Sequence, residues 1–329
     1  MGRVSRPSAA PGQPGPGYRS GIVAIMGRAN VGKSTLVNAI AGEKVSIVSD
    51  KPQTTRAPFH AVVSLENAQL VLVDTPGLHK PRTLLGQRLN RTAIGAQEGV
   101  DVSVLVVDAK AGAGGGDRFV ADKLVARHVC VLNKIDGMPR AAVLAQLKAV
   151  AGWGFEEYFP VSAKTGAGVG QLVEGLARRL PVGPPLYPEV AGSEGPAGPD
   201  APSTAAPGAT VGTGGAFGMG EPGHGPHARD EVGWVAELVR EQLLSLTREE
   251  LPYSIACRVT EWDWPYVRCE ILVERESQKG MVIGQGGAVL KRVGTAVRSQ
   301  SRPGTFLDLT VRVSPDWQQK PEMLDRLGL

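Results

Sequence analysis

Gly27-Arg28-Ala29-Asn30-Val31-Gly32-Lys33-Ser34 is the stretch whose reading decides the fold of this chain. Its spacing is G-x-x-x-x-G-K-S. An apolar run, Ile22 to Met26, precedes it, and a helix-compatible run, Lys33 to Ala41, follows. Strand, loop and helix in that order are the context in which the pattern carries meaning. Glycines let the backbone curl until its N–H groups converge on phosphate oxygens, and the helix start adds the positive end of its dipole. Gly27, Asn30, Val31, Gly32, Lys33, Ser34 and Thr35 are therefore the candidate phosphate contacts. Lys33 offers a point charge to the β- and γ-phosphates, and Ser34 offers a hydroxyl to Mg²⁺.

Outward from this loop, strand and helix signals alternate from residue 20 to residue 182. Strands are expected at Ile22–Met26, Phe59–Leu65, Gln69–Asp74, Val102–Asp108, Val129–Asn133 and Tyr158–Ser162. Helices are expected at Lys33–Ala41, Thr83–Gly99, Asp117–Ala126, Arg140–Val150 and Val169–Leu180. Buried, β-branched strands alternating with helices predict an α/β domain with a mostly parallel sheet covered on both faces. The short link Glu66-Asn67-Ala68 predicts one antiparallel edge strand. Ligands of such sheets bind at the carboxyl ends of strands. The remaining motifs lie there.

Asp74-Thr75-Pro76-Gly77 ends one of these strands. Asp74 is placed to hold Mg²⁺, directly or through water, and the Gly77 N–H to meet the γ-phosphate. Between the loop and Asp74 lies Thr54-Thr55-Arg56, where a hydroxyl must reach the metal only while the γ-phosphate is present. Thr55 is the first choice and Thr54 the second. Asn133-Lys134-Ile135-Asp136 ends another strand. The Asp136 carboxylate can accept from both N1–H and the 2-amino group of guanine, a donor pair that adenine lacks. Asn133 and Lys134 brace that loop. Ser162-Ala163-Lys164 ends the last strand, and its Ala163 amide can donate to the guanine carbonyl oxygen. Lys33, Thr55 and Gly77 are the expected catalytic set, with Ser34, Thr55 and Asp74 around Mg²⁺. Together the four motifs predict GTP binding and hydrolysis.

The chain has 329 residues, 42% of them hydrophobic and 21% charged, with a formal net charge of +4. That composition belongs to a globular protein of about two domains. It permits a nucleic-acid partner without requiring one. Three cysteines, Cys130, Cys257 and Cys269, lack any framework spacing and fit a reducing compartment. No apolar run is long enough to span a membrane. Residues 1–19 read as a disordered tail, and residues 183–229, rich in Gly and Pro, as a flexible linker. Residues 230–329 read as a small α+β domain of order α-β-β-α-α-β. Within it Ile283-Gly284-Gln285-Gly286-Gly287 forms a G-x-x-G loop suited to a sugar–phosphate backbone. Residues 231–329 hold 13 basic and 14 acidic side chains, yet residues 279–312 hold six basic against Asp308 alone. The positive charge gathers around the loop, as a nucleic-acid groove requires. Lys279, Ile283, Gly284, Gln285, Gly286, Gly287, Lys291 and Arg292 are the candidate RNA contacts. Trp262, Trp264 and Tyr266 cluster at a hairpin tip, where packing is a commoner role than base stacking.

These stretches resemble the Era family of bacterial ribosome-assembly GTPases. The resemblance is carried by the four nucleotide motifs, by Pro52-Gln53-Thr54-Thr55-Arg56, by Leu78-His79-Lys80-Pro81 and by Pro184 to Glu189. It continues through Thr247 to Ser254, Glu274 to Lys279 and Val282 to Gly287. The family joins a TrmE-Era-EngA-like GTPase domain to a C-terminal type II KH domain. The resemblance implies GTP hydrolysis and binding near the 3′ end of 16S ribosomal RNA during 30S subunit maturation. It also implies a monomer in the cytoplasm with peripheral contact at the inner membrane face. Leu78 stands where many signalling GTPases place a water-orienting Gln, which implies slow unaided hydrolysis. Asn30 occupies the position that related GTPases associate with a bound K⁺. Ala57-Pro58-Phe59 departs from the more basic run usual after T-T-R, and the Val190–His227 tract lengthens the usual interdomain connection. Two rivals remain at this stage: a GTP-binding RNA chaperone with negligible hydrolysis, and a membrane-associated signalling GTPase whose terminal domain binds protein.

Overall fold

The computed structural model describes residues 17–51, 53–187, 210–214, 231–246, 251 and 254–329. The expectations on residues 1–16, Pro52, Pro188, Glu189, residues 190–209 and 215–229 of the linker, and most of the Thr247–Tyr253 stretch lie outside the described residues.

The first domain is built on a seven-stranded sheet of order β6-β5-β4-β1-β3-β2-β7. Its central strands are β1 (Arg19–Gly27), β3 (Ala68–Asp74), β4 (Val102–Asp108) and β5 (Val129–Asn133). They are rich in Val, Ile and Leu, the composition of strands covered on both faces. β1 runs parallel to β3 and β4. β5 runs parallel to β4 and to β6 (Glu157–Pro160). One face is covered by α1 (Lys33–Ala41) and α5 (Val169–Arg179) through Leu36, Val37, Leu172 and Leu176. The other is covered by α3 (Gly115–Ala121) and α4 (Arg140–Ala151) through Val120 and Val150. A further helix, α2 (Leu84–Gly95), begins at Thr83, whose side chain caps it by accepting from Gly86 N at 3.1 Å.

Three sequence expectations need correction. β2 (Phe59–Leu65) is antiparallel to β3 but is not the edge, because β7 (Thr210–Gly214) pairs antiparallel on its outer side. A strand therefore lies within the stretch read as a flexible linker. An edge strand leaves N–H and C=O groups unpaired, and a short segment without any hydrophobic pattern can still satisfy them. Residues 183–187 also belong to the fold. Ser20 Oγ donates to Pro184 O at 2.5 Å, and the Gln69 amide pairs with both backbone groups of Tyr187 at 2.9 Å. At the N-terminal end, Arg19 is already in β1 and Tyr18 is buried, so the tail ends two residues earlier than expected.

The second domain has the expected order. α6 (Glu231–Leu246) is followed by β8 (Ala256–Asp263) and β9 (Tyr266–Val273), then α7 (Glu276–Ile283), α8 (Ala288–Arg298) and β10 (Phe306–Val313). β9 pairs antiparallel with β8 and parallel with β10. Leu238, Val239 and Leu243 of α6 pack with Val293 and Val297 of α8 on one sheet face. Cys269 is buried there, and all three thiols are free. Trp264 lies under Arg302 at 4.6 Å, and Tyr266 stacks on Phe306 at 5.5 Å.

Residues after β10 complete the joint between the domains. Trp317 and Leu324, the latter from α9 (Pro321–Arg326), are fully buried with Leu85 and Leu89 of α2 and with Ala256 and Leu272 of the second sheet. The Trp317 indole N–H donates to Ser254 O at 2.9 Å. Arg88 of α2 bonds Asp325 at 2.5 Å and the Leu329 carbonyl at 2.7 Å. We expect Trp317→Ala to cost about 3–5 kcal/mol through lost burial and an unfilled cavity. The loss is measured as a lower denaturant midpoint for the full chain.

Candidate nucleotide site and nucleic-acid interface

The phosphate loop turns between β1 and α1. Gly32 sits at φ 92°, and a Cβ there would lie 2.4 Å from Asn133 Nδ2. Gly77 approaches the loop equally closely, since a Cβ on it would lie 2.7 Å from the Ala29 backbone. Only glycine permits either contact. Lys33 is 6% exposed, and its ammonium donates to Gly27 O at 3.3 Å and Arg28 O at 2.9 Å. Burial, opposed only in part by Asp74, pushes its pKa down to about 8.

Asp74 is fully buried at the carboxyl end of β3. One carboxylate oxygen, Oδ2, accepts from Ser34 Oγ at 2.7 Å, Ser46 Oγ at 2.8 Å and Thr55 Oγ1 at 3.3 Å. Ser34 Oγ and Thr55 Oγ1 are themselves 3.0 Å apart. The other oxygen, Oδ1, has no hydrogen-bond partner among the described residues. Burial raises the pKa of this carboxyl, while Lys33 and the three hydroxyls pull it back. A buried carboxylate with a free lone pair, ringed by hydroxyl oxygens, has the hard donor set that Mg²⁺ takes. The Thr54 hydroxyl points elsewhere, donating to Lys51 O at 2.6 Å. Of the two threonines, the structure places Thr55 beside Ser34 and Asp74.

The motifs expected around the base also converge. Asn133 is 1% exposed and ties the loop to the base side: Nδ2 donates to Val31 O at 3.0 Å, and Oδ1 accepts from Ala163 N at 3.0 Å. That second bond engages the Ala163 amide, the donor expected for the guanine carbonyl oxygen, with Asn133. Lys134 reaches Asn30 O at 2.6 Å and Asp108 at 2.7 Å. Asp136 accepts from Lys110 Nζ at 2.7 Å and Ser162 Oγ at 2.9 Å, and these bonds lower its pKa. It is held ionised, the state that guanine recognition needs. Asn30 has φ 65°, and its Nδ2 donates to Asp50 O at 2.6 Å. Leu78 is buried in the apolar core.

Sequence reasoning missed Ser46, Asp108 and Lys110, which carry no local motif. It quoted Gln53 and His79 without giving them a role. It also missed the clamp on residues 44–56. Glu241 of α6 accepts from Val48 N at 2.9 Å and pairs with Lys44. Arg240, only 2% exposed, donates to Thr54 O and, at 3.4 Å, to Gln53 O. Arg56 donates to Ile255 O at 2.8 Å with its guanidinium 5.4 Å from the Trp317 ring. A cavity of about 430 Å³ lies along this joint, whereas the cleft over the phosphate loop measures about 40 Å³.

In the second domain the G-x-x-G loop follows α7 and turns through Gln285–Gly287 into α8. Gln285, Gly286, Lys291 and Arg292 are exposed; Lys279, Ile283, Gly284 and Gly287 are half-buried. Val282, Val293 and Val297 anchor the two helices in the core beneath. The loop therefore stands out from a rigid base with two cations on the following helix.

Comparison with known proteins agrees with this geometry. Residues 22–134 match the family described as 50S ribosome-binding GTPase, and residues 250–318 match the KH domain. GTPase Era of Mycobacterium tuberculosis H37Rv is 40% identical over 330 residues, covering 94% of this chain and 99% of the relative. GTPase Era of Mycobacterium avium strain 104 is also 40% identical, with the same coverage. Two solved structures each superpose with a TM-score of 0.79 at 32% identity, covering 94% of this chain and 99% of theirs. One is an Aquifex aeolicus Era variant bound to GDP and AlF4⁻. The other is Era in complex with MgGDPNP and nucleotides 1506–1542 of 16S ribosomal RNA. With both domains, their order and nearly the whole length matched, this chain belongs to the Era family of GTPases.

Proposed function

We propose that this chain is a slow GTP-hydrolysing switch that binds 16S ribosomal RNA near its 3′ end and assists maturation of the 30S subunit. The observation that carries the nucleotide half is the convergence of Lys33, Ser34, Thr55 and Asp74, tied through Asn133 to the base side at Asp136. Lys33 and the loop amides take the β- and γ-phosphates. Ser34, Thr55 and Asp74 hold Mg²⁺, which supplies charge neutralisation of the phosphates when bound. Asp136 selects guanine. Gly77 N–H senses the γ-phosphate. The exposed G-x-x-G loop with Lys291 and Arg292 carries the RNA half. The complex of a 32% identical Era with a 16S fragment supports this assignment.

The same proposal includes a monomer in the cytoplasm, a setting that suits three free thiols. Peripheral contact at the inner membrane face is the part drawn from family resemblance. Among the described residues no helix is long and apolar enough to cross a membrane. A K⁺ ion beside Asn30 is also part of it. With Nδ2 committed to Asp50 O, the amide oxygen of Asn30 is the atom offered to such an ion.

Two variants test the two halves. Lys33→Ala should abolish measurable GTP turnover in a phosphate-release assay, and unchanged turnover would sink the enzyme reading. Gly286→Asp should weaken binding of a 3′-terminal 16S fragment by about tenfold or more, because it sets a negative charge against phosphate. A Cβ there meets nothing within 4 Å, and although Gly286 has φ 59°, Asp is among the residues that enter the left-handed region, so an unchanged thermal midpoint should accompany the loss of binding. An unaltered dissociation constant would remove this loop from the RNA site.

The Lys33 ammonium gives a pH signature. With a pKa of about 8, it is about half neutral at pH 8 in the free protein. Bound phosphates favour the charged form, so nucleotide binding takes up a proton and affinity falls as pH rises through 8. Calorimetry in two buffers of different ionisation heat should register this uptake at pH 8 and its absence in Lys33→Met. Finally, GTP turnover should be faster in KCl than in NaCl at equal ionic strength. Equal rates would remove the ion from Asn30.

A further inference from the structure

Hydrolysis needs a water held in line with the bond between the γ-phosphorus and the β–γ bridging oxygen. The Leu78 side chain has no polar atom, and the residue is 2% exposed. Some other acceptor must hold that water, and it must face the cleft lined by Lys33, Ser34, Thr55 and Gly77. Gln53 lines the same cleft.

The orientation of its amide follows from the hydrogen bonds around it. His79 Nδ1 lies 3.0 Å from Gly77 O. A carbonyl oxygen only accepts, so Nδ1 carries the proton. In the neutral ring Nε2 is then an acceptor. It lies 3.1 Å from Gln53 Nε2, which donates to it. The Gln53 amide nitrogen is thereby turned toward His79, and Oε1 is turned away from it. Oε1 is buried and has no hydrogen-bond partner among the described residues. Buried side-chain oxygens are rarely left so. The backbone is unusual at the same residue: Gln53 has φ 61°, in the left-handed region that glycine prefers. Arg240 of the second domain grips the carbonyls of Gln53 and Thr54 and holds this conformation. Strain and an unsatisfied polar atom at one residue in a ligand cleft are marks of a functional position.

We propose that Gln53 orients the attacking water through its amide oxygen, and that His79 is the positioning residue that aims the amide. The glutamine that Leu78 displaces is thus supplied from the Thr54-Thr55 segment. In the step itself, the water oxygen bonds to the γ-phosphorus and the bond to the bridging oxygen breaks. The electron pair leaves with GDP, and the protons of the water remain with the phosphate product and solvent. Gln53 accepts a hydrogen bond from the water and takes no proton. His79 never meets the water. The inference rests on the γ-phosphate lying beside Lys33 and Ser34.

The test is single-turnover GTP hydrolysis by the full chain with Mg²⁺, alongside affinities for GDP and a non-hydrolysable GTP analogue. Gln53→Met keeps the length and removes the amide. It should lower the hydrolysis rate by at least about tenfold while both affinities stay within about twofold of wild type. His79→Ala should lower the rate by less, with the Michaelis constant unchanged. The double variant should be no slower than Gln53→Met, because the two act as one unit. A rate for Gln53→Met within twofold of wild type overturns the water-orienting role, and multiplicative losses in the double variant overturn the part given to His79. If Gln53→Met loses analogue binding, Gln53→Asn decides, since Asn tolerates positive φ and keeps an amide of shorter reach. Bound analogue with slowed hydrolysis supports the proposal, and wild-type hydrolysis overturns it. Failure of the nucleotide-site reading is distinguishable, because Lys33→Ala would then retain turnover.

Discussion

Burial of Asp74 is the constraint on which the rest of the structure depends. A carboxylate taken out of water is costly unless its lone pairs are occupied. Asp74 sits in register with Ile25 of β1, so the carboxylate and the phosphate loop leave the sheet at the same edge. The hydroxyls that replace its water come from three separated places: Ser34 at the start of α1, Ser46 and Thr55. Satisfying one buried oxygen therefore draws the phosphate loop and the Thr54-Thr55 segment onto the end of β3. The second oxygen remains open, and that opening makes the cluster suited to a cation rather than closed upon itself.

The segment held against Asp74 is also held from outside. Between Lys44 and Arg56, contacts run to Glu241, Arg240, Ile255 and Trp317 in the second domain. Arg56 and Arg240 are both buried, and Arg240 acts with desolvation to push Arg56 down to about 9, a value still fully charged at neutral pH. Two buried guanidiniums are tolerable only while their carbonyl and carboxylate partners stay in place. Any displacement of Thr54 or Gln53 would unmake bonds that the second domain needs. The nucleotide cleft and the RNA-facing domain thus share one set of hydrogen bonds through residues 44–56.

Much of this was legible beforehand. β2, β4 and β5 begin and end where periodicity and β-branched runs placed them, because strands buried on both faces leave an unbroken apolar signature. α1 was equally plain, being fixed by the loop before it and Gly42 after it. The elements that escaped carry no such signature. Thr210–Gly214 has a polar, Gly-containing sequence and is a strand because the edge of β2 accepts it. Trp317 stands in a polar stretch, and most of the apolar residues that bury it, Leu85 and Leu89 of α2 and Ala256 and Leu272 of the second sheet, lie far away in the sequence. The Ala163 amide shows the same limit within the site: its use by Asn133 depends on how two strand ends abut.

What the amino-acid sequence by itself determined is the set of chemical groups: a phosphate loop, a carboxylate at the end of each of two strand motifs and a basic G-x-x-G loop. Each depends on residue types at short spacings, and short-range geometry follows from local backbone rules. The tertiary structure alone decided which groups are shared. It put Thr55 rather than Thr54 beside Asp74, gave Ala163 N–H to Asn133, and set Gln53 between His79 and Arg240. Those choices depend on burial and on the competition of distant groups for the same donors and acceptors. No local pattern encodes that competition, because its energy exists only once the segments have packed.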